Sequence, residues 1–399
     1  MSGRELSPEG LARLDARIGR YIADGELAGA LLLVAHKGRV VHTSVQGLKD
    51  LSRGEPLAHD TIFRIFSMTK PVTGAAMMIL FDEGKWSPDD PIARHLPEFA
   101  DVEVLVSRDA EGHMIVEPPA HPPTIRELMT HTAGLGYGFD PNDPIDAGYM
   151  GAGVWTSSNL AEFSRRIASV PLAYQPGTRW RYSLSMDLQG AIIEKLSGMS
   201  LADFMRTRIF EPLGMVDTGF HVPEEKLPRL ATLYRMSNSS KTLKVSAPGL
   251  NRNEPHVPPK MAGGGGGLFS TLDDYYRFAQ MILNKGELDG VRVLSPQAVT
   301  LMTSNHLADD VQSGGYGVGH QQIRPGYGHG FDGAVFNDPA AAGSRVGRGT
   351  YQWDGAGGTW FWVDPENEIV FVGLIQRMAL EGSPHFQAVT QELIADALA

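Results

Sequence analysis

Apolar residues first recur at helical spacing: Leu11, Leu14, Ile18, Tyr21 and Ile22 share one face of a predicted helix over residues 8–24. The pattern then changes to a near-continuous apolar run at 28–36, followed by a β-branched, more polar segment at 39–46. These read as two strands, and Lys37-Gly38 between them is a hairpin signal. The end of the chain is built from similar pieces. Residues 359–364 and 368–376 are rich in Trp, Phe, Val and Ile, and they flank the turn residues Pro365-Glu366-Asn367. Ser383-Pro384 then opens a predicted helix to 398, with Phe386, Val389, Leu393 and Ile394 as its apolar stripe. The simplest assembly is one antiparallel sheet drawn from both termini, with the terminal helices packed on it.

The middle of the chain is more helical and more punctuated. Helices are predicted over 71–82, 124–130, 160–169, 186–196, 201–209 and 272–283. Segments 118–123, 134–153 and 246–267 read as long loops, a type that often lines a binding cleft. Segment 324–343 is expected to add a further wall. The fold class is therefore α+β. Residues 1–85 and 300–399 form the sheet domain, and 86–299 form a mostly helical insertion. Five consecutive glycines at 263–267 are too few to link independent domains.

Composition narrows the function classes. Of 399 residues, 42% are hydrophobic and 20% charged, enough to bury a core without metal or disulfide support. Cysteine is absent, which removes disulfides, thiolate metal sites and a cysteine nucleophile. The net charge of −11, from 35 basic and 46 acidic residues, disfavours nucleic acid and anionic lipid as partners. The N-terminus has no apolar h-region, and no apolar run approaches a membrane span. The expectation is a cytoplasmic chain acting on a small molecule. Oligomeric state is not legible.

Three segments carry candidate chemistry. In Ser67-Met68-Thr69-Lys70 the spacing i, i+3 puts a hydroxyl and an amine on one helix face. Ser67 would sit at the N-terminal end of the apolar helix, where free N–H groups and the dipole favour negative charge. A desolvated Lys70 would lose its proton more easily than a free lysine. Among the lysines, Lys70 alone has a serine three residues before it. Tyr182-Ser183-Leu184 follows the turn signal Pro176-Gly177, and a phenol near a cationic lysine can ionise below its free value and act as a base. Trp353-Asp354-Gly355-Ala356-Gly357-Gly358-Thr359 precedes the penultimate strand. Its glycines let a substrate approach a strand edge whose N–H can hold an oxyanion. Each segment also has a plain reading: an exposed helical pair, a half-buried tyrosine, a glycine-rich hairpin corner.

Taken together, Ser67-x-x-Lys70, Tyr182-Ser183 and Trp353-x-Gly355 resemble the family VIII carboxylesterases, relatives of class C beta-lactamases and penicillin-binding proteins. Supporting stretches are Leu128-Met129-Thr130-His131-Thr132-Ala133-Gly134-Leu135 and Gly358-Thr359-Trp360-Phe361-Trp362-Val363-Asp364. The resemblance implies a beta-lactamase-like fold. It implies Ser67 as acylated nucleophile, Lys70 and Tyr182 as the proton-transfer pair, and the N–H groups of Ser67 and Ala356 as oxyanion hole. No cofactor and no metal are implied. The chain departs from beta-lactamases in two places. Leu184 stands where their tyrosine motif has an asparagine, and Trp353 stands where their third motif has a lysine. With Gly355 these would line an apolar substrate pocket, which favours neutral, short-chain esters over beta-lactams. Beta-lactam or amide hydrolysis, acyl transfer and a non-catalytic penicillin-binding-like sensor would use the same residues. A Gly-x-Ser-x-Gly elbow is missing, Gly198-Met199-Ser200-Leu201-Ala202 coming nearest, and the 13 histidines include no His-Glu-x-x-His. His131, His320 and His329 are expected mainly in structural or solvent roles.

Overall fold

A computed structural model describes residues 4–237, 239–246, 254–313, 325–378 and 385–398. Helix α1 (Pro8–Ala23) starts where Ser7 accepts the Gly10 N–H and Pro8 fills a first-turn position that needs no N–H. Its buried stripe is Leu11, Leu14, Ile18 and Tyr21. Strands β1 (Gly29–His36) and β2 (Arg39–Asp50) follow, joined by Lys37 and Gly38, both at positive φ. That geometry matches the twist of a two-residue hairpin. A short β3 (Glu55–Pro56) pairs with the end of β2.

The other strands come from the far end of the chain: β4 (Tyr327–His329), β5 (Ala334–Phe336), β6 (Tyr351–Gly355), β7 (Thr359–Asp364) and β8 (Ile369–Leu374). The sheet order is β4-β5-β6-β7-β8-β1-β2-β3, and every neighbouring pair is antiparallel. The two termini meet where Leu31 faces Leu374 and His36 faces Ile369. β1 is buried throughout because helices cover both faces of the sheet. Leu31, Leu33 and Ala35 enter one core, and Ala30, Leu32 and Val34 enter the other. Each large side chain so buried contributes roughly 1.5–3 kcal/mol.

Helices α2 (Thr69–Asp82), α3 (Ser185–Ser197) and α4 (Leu272–Leu283) belong to the larger core. α4 lies on β7 and β8, and α2 packs against α3. On the opposite face α5 (Phe386–Ala397) lies beside α1, with Trp360, Trp362, Phe371 and Phe386 between helix and sheet. Ser7 donates its N–H to the Ala397 carbonyl, tying the two ends together.

The six helices expected in the middle of the chain are present, at Thr69–Asp82, Ile125–Met129, Leu160–Ala168, Ser185–Ser197, Leu201–Met205 and Leu272–Leu283. The fifth continues as a π-helical turn over Arg206–Phe210. Two of the expected loops differ. Segment 134–153 holds an α-helix, Pro144–Gly151, because Asp143 accepts the Ile145 and Asp146 N–H groups and Pro144 sits in the first turn. Segment 324–343 holds β4 and β5, too short for a readable alternation. Segment 246–267 stays irregular where it is described. Ser383-Pro384 and His320 lie outside the described residues.

Candidate active site

Ser67 sits in a single 3₁₀ turn, Phe66–Met68, that runs directly into α2. Phe66 takes φ 45°, a left-handed conformation that costs a non-glycine residue about 1–3 kcal/mol unless its surroundings impose it. They do so from three sides. The Ile65 N–H donates to Leu268 O, the Thr359 hydroxyl donates to Ile65 O at 3.1 Å, and the Tyr275 hydroxyl donates to Met68 O at 2.8 Å. Ser67 itself is half-buried.

α2 is apolar almost all round, so Lys70 on its first turn has no exposed surface. Its amine donates to Ser67 Oγ at 3.1 Å and to Gly265 O at 2.5 Å. Burial pushes Lys70 down to about 8, partly opposed by the carboxylates of Asp187, Asp332 and Asp354. The Tyr182 hydroxyl lies 2.7 Å from Ser67 Oγ, and the Lys70 ammonium lies 4.7 Å from the centre of the Tyr182 ring. Burial pushes Tyr182 above its ordinary value, and its hydrogen bond to Ser67 only partly offsets this. The sequence expectation of a readily ionised phenol is thus reversed. Desolvation of the phenolate is the largest cause.

The backbone around Tyr182 is held by the segment that opens at His131. Arg181 N donates to His131 O, Ser183 N to His131 Nδ1, and Leu184 N to Gly136 O. Arg181 pairs with Asp143 and Asp146 at 3.1 Å each, so the unexpected helix Pro144–Gly151 and its N-cap anchor this segment. Asp146 also accepts the N–H groups of Tyr137 and Phe139. Tyr137 and Trp353 both stack on the Tyr182 ring, with centroids 5.2 and 6.0 Å away.

Trp353 and Gly355 belong to β6, whose end presses on the serine turn. A Cβ on Gly355 would lie 2.3 Å from Ile65 O and 2.5 Å from Thr359 Oγ1, so only glycine fits. Ala356 follows in a turn closed by Gly358 N–H to Gly355 O. The three motifs, distant in sequence, therefore converge on Ser67. Leu184 and Trp353, expected to line the substrate pocket, are fully buried in the core. Half-exposed surface near the serine comes instead from Phe66, Asp354 and Ala356. His131 and His329 are buried and held neutral, the latter pushed down to about 4 by desolvation. Reasoning from sequence missed Tyr137, Asp187 and Asp332. For Asp187 a signal existed: a carboxylate five residues after Tyr182, set between the apolar Met186 and Leu188.

The family model described as "Beta-lactamase" matches residues 14–396. The chain belongs to the beta-lactamase family. Within that family it is similar to Esterase EstB of Burkholderia gladioli, with 34% identity over 369 residues, 88% of this chain and 86% of the relative. It is also similar to Protein Rv1367c of Mycobacterium tuberculosis, with 39% identity over 370 residues, 90% of this chain and 88% of the relative. Among solved structures, EstCE1, "a hydrolase with promiscuous acyltransferase activity", superposes with a TM-score of 0.77 at 27% identity, covering 98% of each chain. The likeness to family VIII carboxylesterases read from the motifs stands, and so does the beta-lactamase-like α+β fold.

Proposed function

We propose that this member of the beta-lactamase family is a carboxylesterase that works through an acyl-enzyme on Ser67. One observation carries the reading: a single serine oxygen lies within hydrogen-bond reach of both a buried lysine amine and a buried phenol. Because burial favours neutral Lys70 and disfavours the Tyr182 phenolate, the amine is the proton acceptor. Tyr182, kept as a phenol, relays the proton. Ser67 Oγ attacks the ester carbonyl, its proton passes to Lys70, and the backbone N–H groups of Ser67 and Ala356 hold the oxyanion. The C–O bond then breaks and the departing alkoxide takes the proton from the Lys70–Tyr182 pair. Water attacks the acyl group and gives its proton to the same pair; the acyl C–O bond to Ser67 then breaks, Oγ takes that proton back, and the acid is released. The positioned base supplies roughly 10²–10⁴-fold, and each oxyanion donor about 10²–10³-fold.

Leu184 and Trp353 replace the polar grips of beta-lactamases with packed apolar groups, which supports neutral, short-chain esters as substrates. A second reading is acyl transfer to an alcohol in place of water, since the acyl-enzyme is common to both and EstCE1 is described with that side activity. The proposal includes a small-molecule substrate, with no nucleic-acid or membrane partner, and a cytoplasmic location that cell fractionation tests. No helix among the described residues is long and apolar enough to cross a membrane. The test of function is turnover of p-nitrophenyl butyrate by wild type and Ser67→Ala. Wild type turns over, and the variant stays folded without turnover. Full activity in the variant contradicts the assignment, and labelling of Ser67 by a fluorophosphonate without turnover points to a sensor.

A further inference from the structure

The first three of the five glycines at 263–267 have a structural purpose that the sequence did not reveal. Asp187 lies in the first turn of α3, nearly fully buried, and its Oδ1 accepts the Gly265 N–H at 3.0 Å. The carbonyl of that same Gly265 accepts the Lys70 amine at 2.5 Å. One residue thus links the carboxylate to the lysine beneath Ser67. The chain wraps the carboxylate too closely for any side chain. A Cβ on Gly265 would lie 2.5 Å from Asp187 Oδ2, one on Gly263 would lie 3.1 Å from Oδ1, and one on Gly264 would lie 2.3 Å from Met186 O. The Thr73 hydroxyl donates to Gly264 O at 2.7 Å, pinning the neighbouring peptide to α2 one turn beyond Lys70.

We propose that Asp187 is a positioning residue: its carboxylate holds Gly265 and, through Gly265, fixes and balances the charge of the Lys70 amine. This rests on the reading of Ser67 and Lys70 given above. Lys70 is faced by Asp187 from α3, by Asp332 ahead of β5, by Asp354 from β6, and by Tyr137, His131 and Tyr182. Burial holds the Asp332 carboxyl well above the usual carboxylate range, and its Oδ1 is taken by Gln189 Nε2 at 2.8 Å. Burial lifts Asp187 as well, but the Lys70 charge and the Gly265 amide both pull it back. Asp187 is therefore the counter-ion that the structure ties to the amine, through Gly265. It stabilises the protonated amine, which raises the proton affinity of Lys70 and makes its neutral form a stronger base.

The test follows the rate at which a p-nitrophenyl phosphonate labels Ser67 from acid through alkaline pH, in wild type and in Asp187→Asn. Asparagine keeps an acceptor for the Gly265 N–H but loses the charge. Its acid limb is expected to move to lower pH by roughly 1 unit or more, with a lower plateau because the base is weaker. An unchanged limb and plateau overturn the proposal. If Asp187→Asn does not fold, Asp187→Glu takes its place. It keeps the charge but overfills the glycine cradle, so the plateau falls; a wild-type plateau overturns the proposal. Failure of wild type to be labelled at Ser67 would instead refute the underlying assignment of the nucleophile.

Discussion

At the residue scale the decisive contrast is between two buried groups beside one serine oxygen. Desolvation acts on both, but in opposite directions on their titration: it pushes the Lys70 amine down to about 8 and the Tyr182 phenol up. The neutral amine accepts the serine proton, so acidification below about 8 converts Lys70 to the inactive ammonium form. The free-enzyme profile of kcat/KM should therefore show an acid limb near that pH. A profile flat through this region would contradict the assignment of the base. Lys70→Arg keeps a permanent charge and should lower kcat by roughly 10²–10⁴-fold while the circular-dichroism spectrum stays native. Tyr182→Phe keeps the stacking with Tyr137 and Trp353 but loses the 2.7 Å bond to Ser67, so its loss should appear in kcat and not in stability.

At the element scale the site depends on a strand end pressed against a helix start. β6 reaches the Phe66–Met68 turn only because Gly355 has no side chain. Gly355→Val should force the strand from Ile65, moving Ala356 away from the serine. The expected loss is that of one oxyanion donor, about 10²–10³-fold in kcat, measured on a short ester with the melting temperature recorded alongside. Full activity in that variant would separate the strand end from catalysis. The hairpins at both ends of the chain were legible because they are long, apolar and joined by clear turn residues. The helix Pro144–Gly151 was not, since it hides among glycines. Its signal, Asp143 before Pro144, is only a first turn, and its role emerges from the pairing of Arg181 with Asp143 and Asp146.

At the scale of the whole molecule, both termini close one sheet, so the last helix is part of the core and not a tail. Removing residues 385–399 would uncover Trp360, Trp362 and Phe371 and should yield an insoluble or unfolded chain. A soluble, cooperatively melting truncation would contradict this packing. Acid stability follows from the buried histidines. His329 is held near 4 in the folded chain, against an ordinary value near 6.5, and His131 is lowered in the same way. Between those values the unfolded chain binds protons that the folded chain refuses, so stability falls as pH drops through that window. His329→Phe should weaken that dependence in urea titrations. Sequence showed that Ser67, Lys70, Tyr182 and Trp353-x-Gly355 belong together, because their spacing matches known motifs. It could not show that Leu184 and Trp353 are core residues, or that Asp187 reaches Lys70 through Gly265. Those facts depend on which distant segments pack together, and no local pattern encodes that.

Acid-quenched mass spectrometry during turnover of a butyrate ester tests the central claim most directly. The account predicts a butyryl group on the peptide containing Ser67 in wild type, and neither acyl group nor turnover in Ser67→Ala. Turnover with the acyl group on another residue, or with none on Ser67 under conditions that trap it, would contradict the account.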